Sequence, residues 1–290
     1  MTSQATIVTT AIQRGLRPLV FVEDTKNPYV RFTADWQNVR CEVYKKGLAK
    51  PNCTRVCNAS HLNFPPQGSP IRLTCVNATA LTTIAVNHYG QIQYLEALEM
   101  QREAHSKVAQ KLKENTIMLL EHPPVFTAGK RTLDFERPSD GTQVIDVDRG
   151  GKITWHGPGQ IVGYPILRLA KPTELVGFVR EIESALIDTC NEFGLQVQRI
   201  KGRSGVWIMD DVNPRKIAAI GIRVARGTTM HGFALNVSPD LSAFSQIIPC
   251  GIADAEVTSM ATELKREIST SEVLPVLERN LLSTLGKVCA

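Results

Sequence analysis

Residues 204–237 read SGVWIMDDVNPRKIAAIGIRVARGTTMHGFALNV. Three apolar runs stand out in it: GVWIM (205–209), KIAAIGIRV (216–224) and HGFALNV (231–237). Short runs of β-branched and aromatic residues with a turn former between them, here Gly227, predict strands paired as hairpins. On either side the period changes. Residues 91–113 place Ala97, Met100, Ala104, Val108 and Leu112 on one helical face. Residues 173–193 do the same with Leu175, Phe178, Val179, Ile182, Leu186 and Cys190, with Thr173 as a candidate N-cap and Gly194 as a stop. A last helix begins near Ser269, where Ser269 and Glu272 have capping-box spacing ahead of Leu274, Leu277, Leu281 and Leu285. TTIAVN (82–87) and Ile117–Leu120 add further strands. Helices are interspersed with strands, but hairpins dominate the centre. The pattern predicts an α+β fold with a mixed sheet, not a doubly wound parallel one.

The chain has 290 residues, 43% of them apolar and 21% charged. This suits a globular protein with a real core and excludes a wholly disordered chain, a collagen or a coiled coil. The longest uncharged stretch, Leu73–Leu95, contains Asn77, Asn87, His88, Gln91 and Gln93 and is too polar to span a bilayer. No membrane association is expected. Charge is unevenly placed: residues 1–85 hold ten Lys+Arg against four Asp+Glu, and residues 86–290 hold 23 against 24. The excess of +5 therefore lies near the N-terminus, and the body has no basic surplus to bind nucleic acid.

The change near residue 80 divides the chain into an N-terminal extension (1–80) and a folded domain (81–290). The first 22 residues lack acid, carry Arg14 and Arg17 and are rich in hydroxyls. They resemble an organelle transit peptide, which implies a mitochondrial location; read as a frayed terminus, the same stretch leaves the protein cytoplasmic. No secretory h-region is present. Pro28, Pro51, Pro65, Pro66 and Pro70 interrupt every periodic run of residues 25–80, so little fixed structure is expected there. Cys41, Cys53, Cys57 and Cys75 match no common zinc spacing.

Several chemistries have no motif here. PPVFTAGKR around Lys130 lacks the first glycine and the Ser/Thr of a P-loop, and there is no GxGxxG, HExxH or GxSxG. Neither a cofactor nor a metal is expected. Three segments remain. RGGKITWHGPGQ (149–160), with four glycines and a proline, is too irregular for a helix or a regular strand and suits close backbone approach to a ligand; a tight turn around a satisfied His156 is the plainer reading. Lys216 opens an apolar strand, as a snorkelling edge lysine also does. IPCGI (248–252) sets Cys250 at a break between proline and glycine, where a thiol is more available than in a core.

Taken in order, RGGKITWHGPGQ, KIAAIG, HGFALNV and IPCGI resemble the lipoyl(octanoyl) transferase family, and LEHPPVFTAGKR (120–131) and YLEALEMQ (94–101) are similar to its N-terminal part. The resemblance covers roughly residues 86–285. It implies the mixed-sheet catalytic domain of biotin and lipoate protein ligases. It also implies transfer of an octanoyl group from acyl carrier protein to a lysine of lipoyl domains, in 2-oxoacid dehydrogenase complexes and the glycine cleavage H protein. Cys250 is then the nucleophile, and Lys216 lowers its pKa and acts as acid and base. Arg149, Gly150, Gly151, Lys152, Ile153, Thr154, Trp155 and His156 line the acyl site, completed by Ala219, Ile220, Gly221, Gly232, Phe233 and Ala234. Ala219 is a serine in some relatives; a backbone-only role there tolerates alanine. Two other activities stay open: an ATP-dependent lipoate ligase of the same fold, which has no need of Cys250, and a non-catalytic homologue that binds lipoyl domains.

Overall fold

A computed structural model describes residues 84–209, 213–247 and 256–290, together with the backbone of six strands within residues 1–83. The chain divides into two compact units, Met1–Ala80 and Leu81–Ala290. In the first unit, β1 (Ala5–Val8), β2 (Leu19–Asp24), β3 (Asn27–Ala34), β4 (Val39–Val43), β5 (Cys53–Cys57) and β6 (Arg72–Leu73) form an antiparallel sheet in the order β5-β4-β3-β2-β1-β6. Strand pairing thus occurs in a stretch where the prolines predict little fixed structure. Cys75 and most of the acid-free first 22 residues lie outside the described residues.

The second unit begins with β7 (Ile84–Gln91), α1 (Tyr94–Ala109) and β8 (Asn115–Glu121). The helix crosses over between parallel neighbours, as parallel strands require. A small three-stranded sheet follows, of β9 (Val125–Ala128), β10 (Val144–Asp146) and β11 (Thr154–His156). Then come β12 (Gln160–Ile166), α2 (Leu175–Glu192), β13 (Gln198–Ile200), β14 (Arg203–Ile208), β15 (Arg215–Ala225), β16 (Thr228–Asn236), β17 (Glu256–Val257), α3 (Met260–Leu264) and α4 (Thr270–Leu285). The main sheet runs β13-β14-β15-β16-β12-β8-β7, with β17 parallel to β15. It is mixed, as the hairpin pattern predicts. The turn of the central hairpin is Arg226-Gly227, both at positive φ, which matches the right-handed twist of β15 and β16.

Alternation along the strands gives the sheet two apolar faces. Ile117, Leu119, Ile161, Phe233 and Leu235 meet Phe178, Ile182 and Leu186 of α2 and Val273, Leu277 and Leu281 of α4. Met118, Leu120, Val162, Tyr164 and Ala234 face the other way, onto Ala97, Ala104 and Val108 of α1. The predicted helical stripes are the buried ones, except at their ends. Leu112 lies beyond α1 and is exposed. Thr173 does not cap α2, which starts after Glu174 without a side-chain cap. Ser269 does cap α4, its Oγ accepting from the Glu272 N–H at 3.2 Å. Cys190 is a fully buried core thiol whose pKa burial pushes up to about 12.

Candidate active site

On β14 and β15 the pairing slips by one residue: Val206 faces Ala218, but Trp207 faces Lys216. The extra residue makes a β-bulge, which turns two neighbours to the same side of a strand. Ile217 and Ala218 both enter the core against α2 and α4. Lys216 and Ala219 therefore share the opposite face. Strict alternation from Ala219 would have placed Lys216 in the helical core; the bulge brings it to a cavity of about 250 Å³ that it lines while only 7% exposed.

Val162 and Tyr164 of β12, Ala219–Gly221 of β15 and Gly232–Ala234 of β16 form one wall of this cavity. Arg149, Gly151, Lys152, Thr154 and His156 form another, with Tyr94 from α1. Close contact between the walls requires Gly221: a Cβ there would lie 2.9 Å from the Gly150 carbonyl oxygen. The Gly150 N–H donates to the Ile222 carbonyl at 3.0 Å and fixes the approach.

Three residues of the glycine-rich segment point elsewhere. Thr154–His156 is a short strand paired antiparallel with β9, where the glycine content predicts irregular chain. Thr154 and His156 consequently line the cavity, while Trp155 and the preceding Ile153 turn to Phe126, Phe244 and Ile247. Trp155 meets Phe244 edge-on, with ring centroids 5.7 Å apart. Gly150 contributes its backbone to the wall contact and does not line the cavity. Ile248–Ile252, with Cys250, lies outside the described residues. Its return point is described: Val257 of β17 is the Cα partner of Lys216, and the Thr258 N–H donates to the Lys216 carbonyl at 2.9 Å.

Arg149 is an internal brace. Its guanidinium donates to the carbonyls of Lys152 (2.7 Å), Thr127 (2.8 Å) and Gly150 (3.1 Å) and to Thr127 Oγ1 (3.0 Å). Lys152 pairs with the buried carboxylate of Glu136, which also accepts from the Leu133 N–H at 2.8 Å. Arg131 and Arg203 also line the cavity, and among the described residues no carboxylate does.

Sequence reading placed His156 in the site but missed Tyr164 on the same cavity and the polar residues bonded to the two. His122 donates from Nδ1 to the Ile92 carbonyl at 2.8 Å, so its Nε2 accepts from the Tyr164 hydroxyl at 2.8 Å. Burial holds its pKa below 6.5. His156 donates from Nδ1 to Gln160 Oε1 at 2.7 Å and stacks on Tyr94, with centroids 6.1 Å apart and planes 9° apart. Burial first, then the His122 and Arg149 charges, push its pKa down to about 3, so it stays neutral. Gln160 donates to Asn236 Oδ1 at 2.8 Å, and Asn236 donates to the Thr258 carbonyl at 2.9 Å. His231 also lines the cavity; it has a left-handed φ of 58°, donates from Nε2 to Asp148 at 2.7 Å and is kept below its ordinary pKa by burial. Apart from His156, the only sequence signal for these side chains is that each is a polar residue within or beside a strand. Among the described residues no cluster of three or more His, Cys, Asp or Glu is placed to hold a metal ion.

Comparison with known proteins follows the same domain. The family model for the lipoyl protein ligase A/B catalytic domain matches residues 93–282. Similar curated proteins are the octanoyltransferases of Salinispora arenicola, 56% identical over 72% of this chain and 99% of the relative, and Acidothermus cellulolyticus, 57% identical over 70% and 92%. That of Mycolicibacterium smegmatis is 58% identical over 67% of this chain and 86% of the relative. Among solved structures, the bipartite lipoate protein ligase of Thermoplasma acidophilum superimposes with a TM-score of 0.53 over 70% of this chain and 82% of that one, at 15% identity, and so shares the fold. With more than half of its relatives' residues retained across two thirds of its length, the chain belongs to the octanoyltransferases, acyl-transferring enzymes of the lipoyl protein ligase A/B catalytic-domain family.

Proposed function

We propose that this chain transfers an octanoyl group from acyl carrier protein to a lipoyl-domain lysine through a thioester on Cys250. One observation carries the reading: a buried lysine is turned by a bulge onto a small cavity, and the chain that follows Cys250 re-enters the sheet beside that lysine. The cavity is smaller than the ~300–1,000 Å³ usual for drug-sized ligands and suits a single acyl chain. Burying six methylenes contributes about 5 kcal/mol, so no charged anchor is needed.

The chemistry balances in two halves. Lys216 takes the Cys250 proton; the thiolate attacks the octanoyl carbonyl; the carrier's thiolate leaves and takes that proton from Lys216. The acceptor amine then attacks the thioester and gives its proton to Lys216, which returns it to the departing Cys250. Thioester exchange is nearly isoenergetic, so a good nucleophile suffices without ATP. Backbone N–H groups could stabilise each tetrahedral oxyanion.

The test is incubation with octanoyl-acyl carrier protein, an acid quench and peptide mapping. A hydroxylamine-labile octanoyl adduct on Cys250, absent in Cys250→Ala, is expected. Wild-type transfer by Cys250→Ala, or dependence on ATP, points instead to a ligase mechanism. Location rests on residues 1–22: an acid-free, hydroxyl-rich start supports mitochondrial import, whereas the relatives named above are bacterial. The mass of the N-terminus in protein isolated from its own cells separates the two, since an intact Met1 start excludes a cleaved transit peptide.

A further inference from the structure

The slip between β14 and β15 does more than turn Lys216 around. It makes Trp207 the Cα partner of Lys216, and the lysine Nζ lies over the indole ring, 4.5 Å from its centroid. The stem runs past Gly205, where a Cβ would lie 3.5 Å from Lys216 Cε and 2.4 Å from the Ala218 carbonyl oxygen. Gly205, at φ 111°, thus leaves the space the stem passes through. Trp207 is fully buried, and its Nε1 has no hydrogen-bond partner among the described residues. What the ring presents to the lysine is its π face, which attracts an ammonium more strongly when water is excluded. A lysine side chain otherwise ranges over many rotamers.

We propose that Trp207 is a positioning residue for Lys216: its π face holds, at one point of the cavity wall, the ammonium that Lys216 becomes in each half of the transfer. The inference rests on the proton-transfer role given to Lys216 above, but is tested separately from it. A seat of this kind fixes where the proton is handed over and leaves acyl binding alone.

Trp207→Leu is therefore expected to lower kcat about 30-fold, the rate equivalent of ~2 kcal/mol, with KM for octanoyl-acyl carrier protein within about twofold of wild type. Trp207→Phe keeps a π face and gives up no hydrogen bond, so it should recover kcat to within about fivefold. In a Lys216→Met background the Leu substitution should change the residual rate no further. If Trp207→Leu fails to fold by circular dichroism, Trp207→Met fills the space without a π face and replaces it in the comparison. Wild-type kcat in the Leu or Met variant, alongside loss of transfer in Lys216→Ala, overturns the positioning role alone. A Phe variant as slow as Leu overturns it too, since packing and not the π face then matters. Wild-type transfer in Lys216→Ala overturns both this inference and the acid–base role.

Discussion

Replacing Arg149 by leucine separates two roles that an arginine in a glycine-rich loop can have. As a ligand anchor, its loss weakens binding and leaves stability alone. As a brace, its loss loosens the fold. The structure favours the brace: four acceptors surround a guanidinium belonging to a residue only 7% exposed, and three of them are backbone carbonyls on two separate segments. Hydrogen bonds from a charged donor contribute about 1.5–3 kcal/mol each, and a buried carbonyl left without its donor costs a comparable amount. Counting only the two short bonds, to Lys152 and Thr127, gives a destabilisation of about 3–6 kcal/mol. At about 2–4 °C per kcal/mol for a domain of this size, the midpoint should fall by at least ~6 °C. Arg149→Lys should recover little, because one ammonium cannot serve both segments as a planar fork does. Thermal melting of the purified variants checks this, with octanoyl transfer measured well below the midpoint. A leucine variant that melts within about 2 °C of wild type yet no longer transfers would refute the brace and restore the anchor.

Two other perturbations follow from the site. Lys216→Ala should fold and lose about 10²–10⁴-fold in transfer rate, and Lys216→Arg should not rescue it, because a guanidinium does not give up its proton; wild-type rates in the arginine variant would show that charge alone matters. His156 is neutral in the fold, with a pKa near 3 against 6.5 for the free side chain, so the unfolded chain binds an extra proton between those values. Its contribution is whole above pH 6.5 and is lost as pH falls toward 3, at up to ~1.4 kcal/mol per pH unit. Urea titrations from pH 7 to 4 should show a shallower loss for His156→Phe than for wild type; equal slopes would contradict the buried, neutral imidazole.

What could be read from the residues divides along physical lines. Helices and hairpins rest on local periodicity, which is why the stripe Phe178–Ile182–Leu186 and the turn at Gly227 fall where expected. The bulge at Ile217–Ala218 has no such signature, since two adjacent small or branched apolar residues look the same in a regular strand. The face on which Lys216 emerges depends on it. Grouping Ile153 and Trp155 with Thr154 and His156 failed for the opposite reason: the segment is regular enough to alternate, so half of it turns away. The hydrogen bonds of His122 with Tyr164 and of Gln160 with His156 join residues up to 42 positions apart, and only the fold shows that they meet.

The parallel pairing of β17 with β15 limits how far Cys250 can lie from the Lys216 strand position. Since Val257 is aligned with Lys216, Cys250 is tethered seven residues from the lysine's backbone partner. Seven links of at most ~3.6 Å keep Cys250 within about 25 Å of that strand position. A residue added or removed before Glu256 moves that limit by ~3.6 Å, while the register of β17 on β15 keeps the point of re-entry fixed beside Lys216.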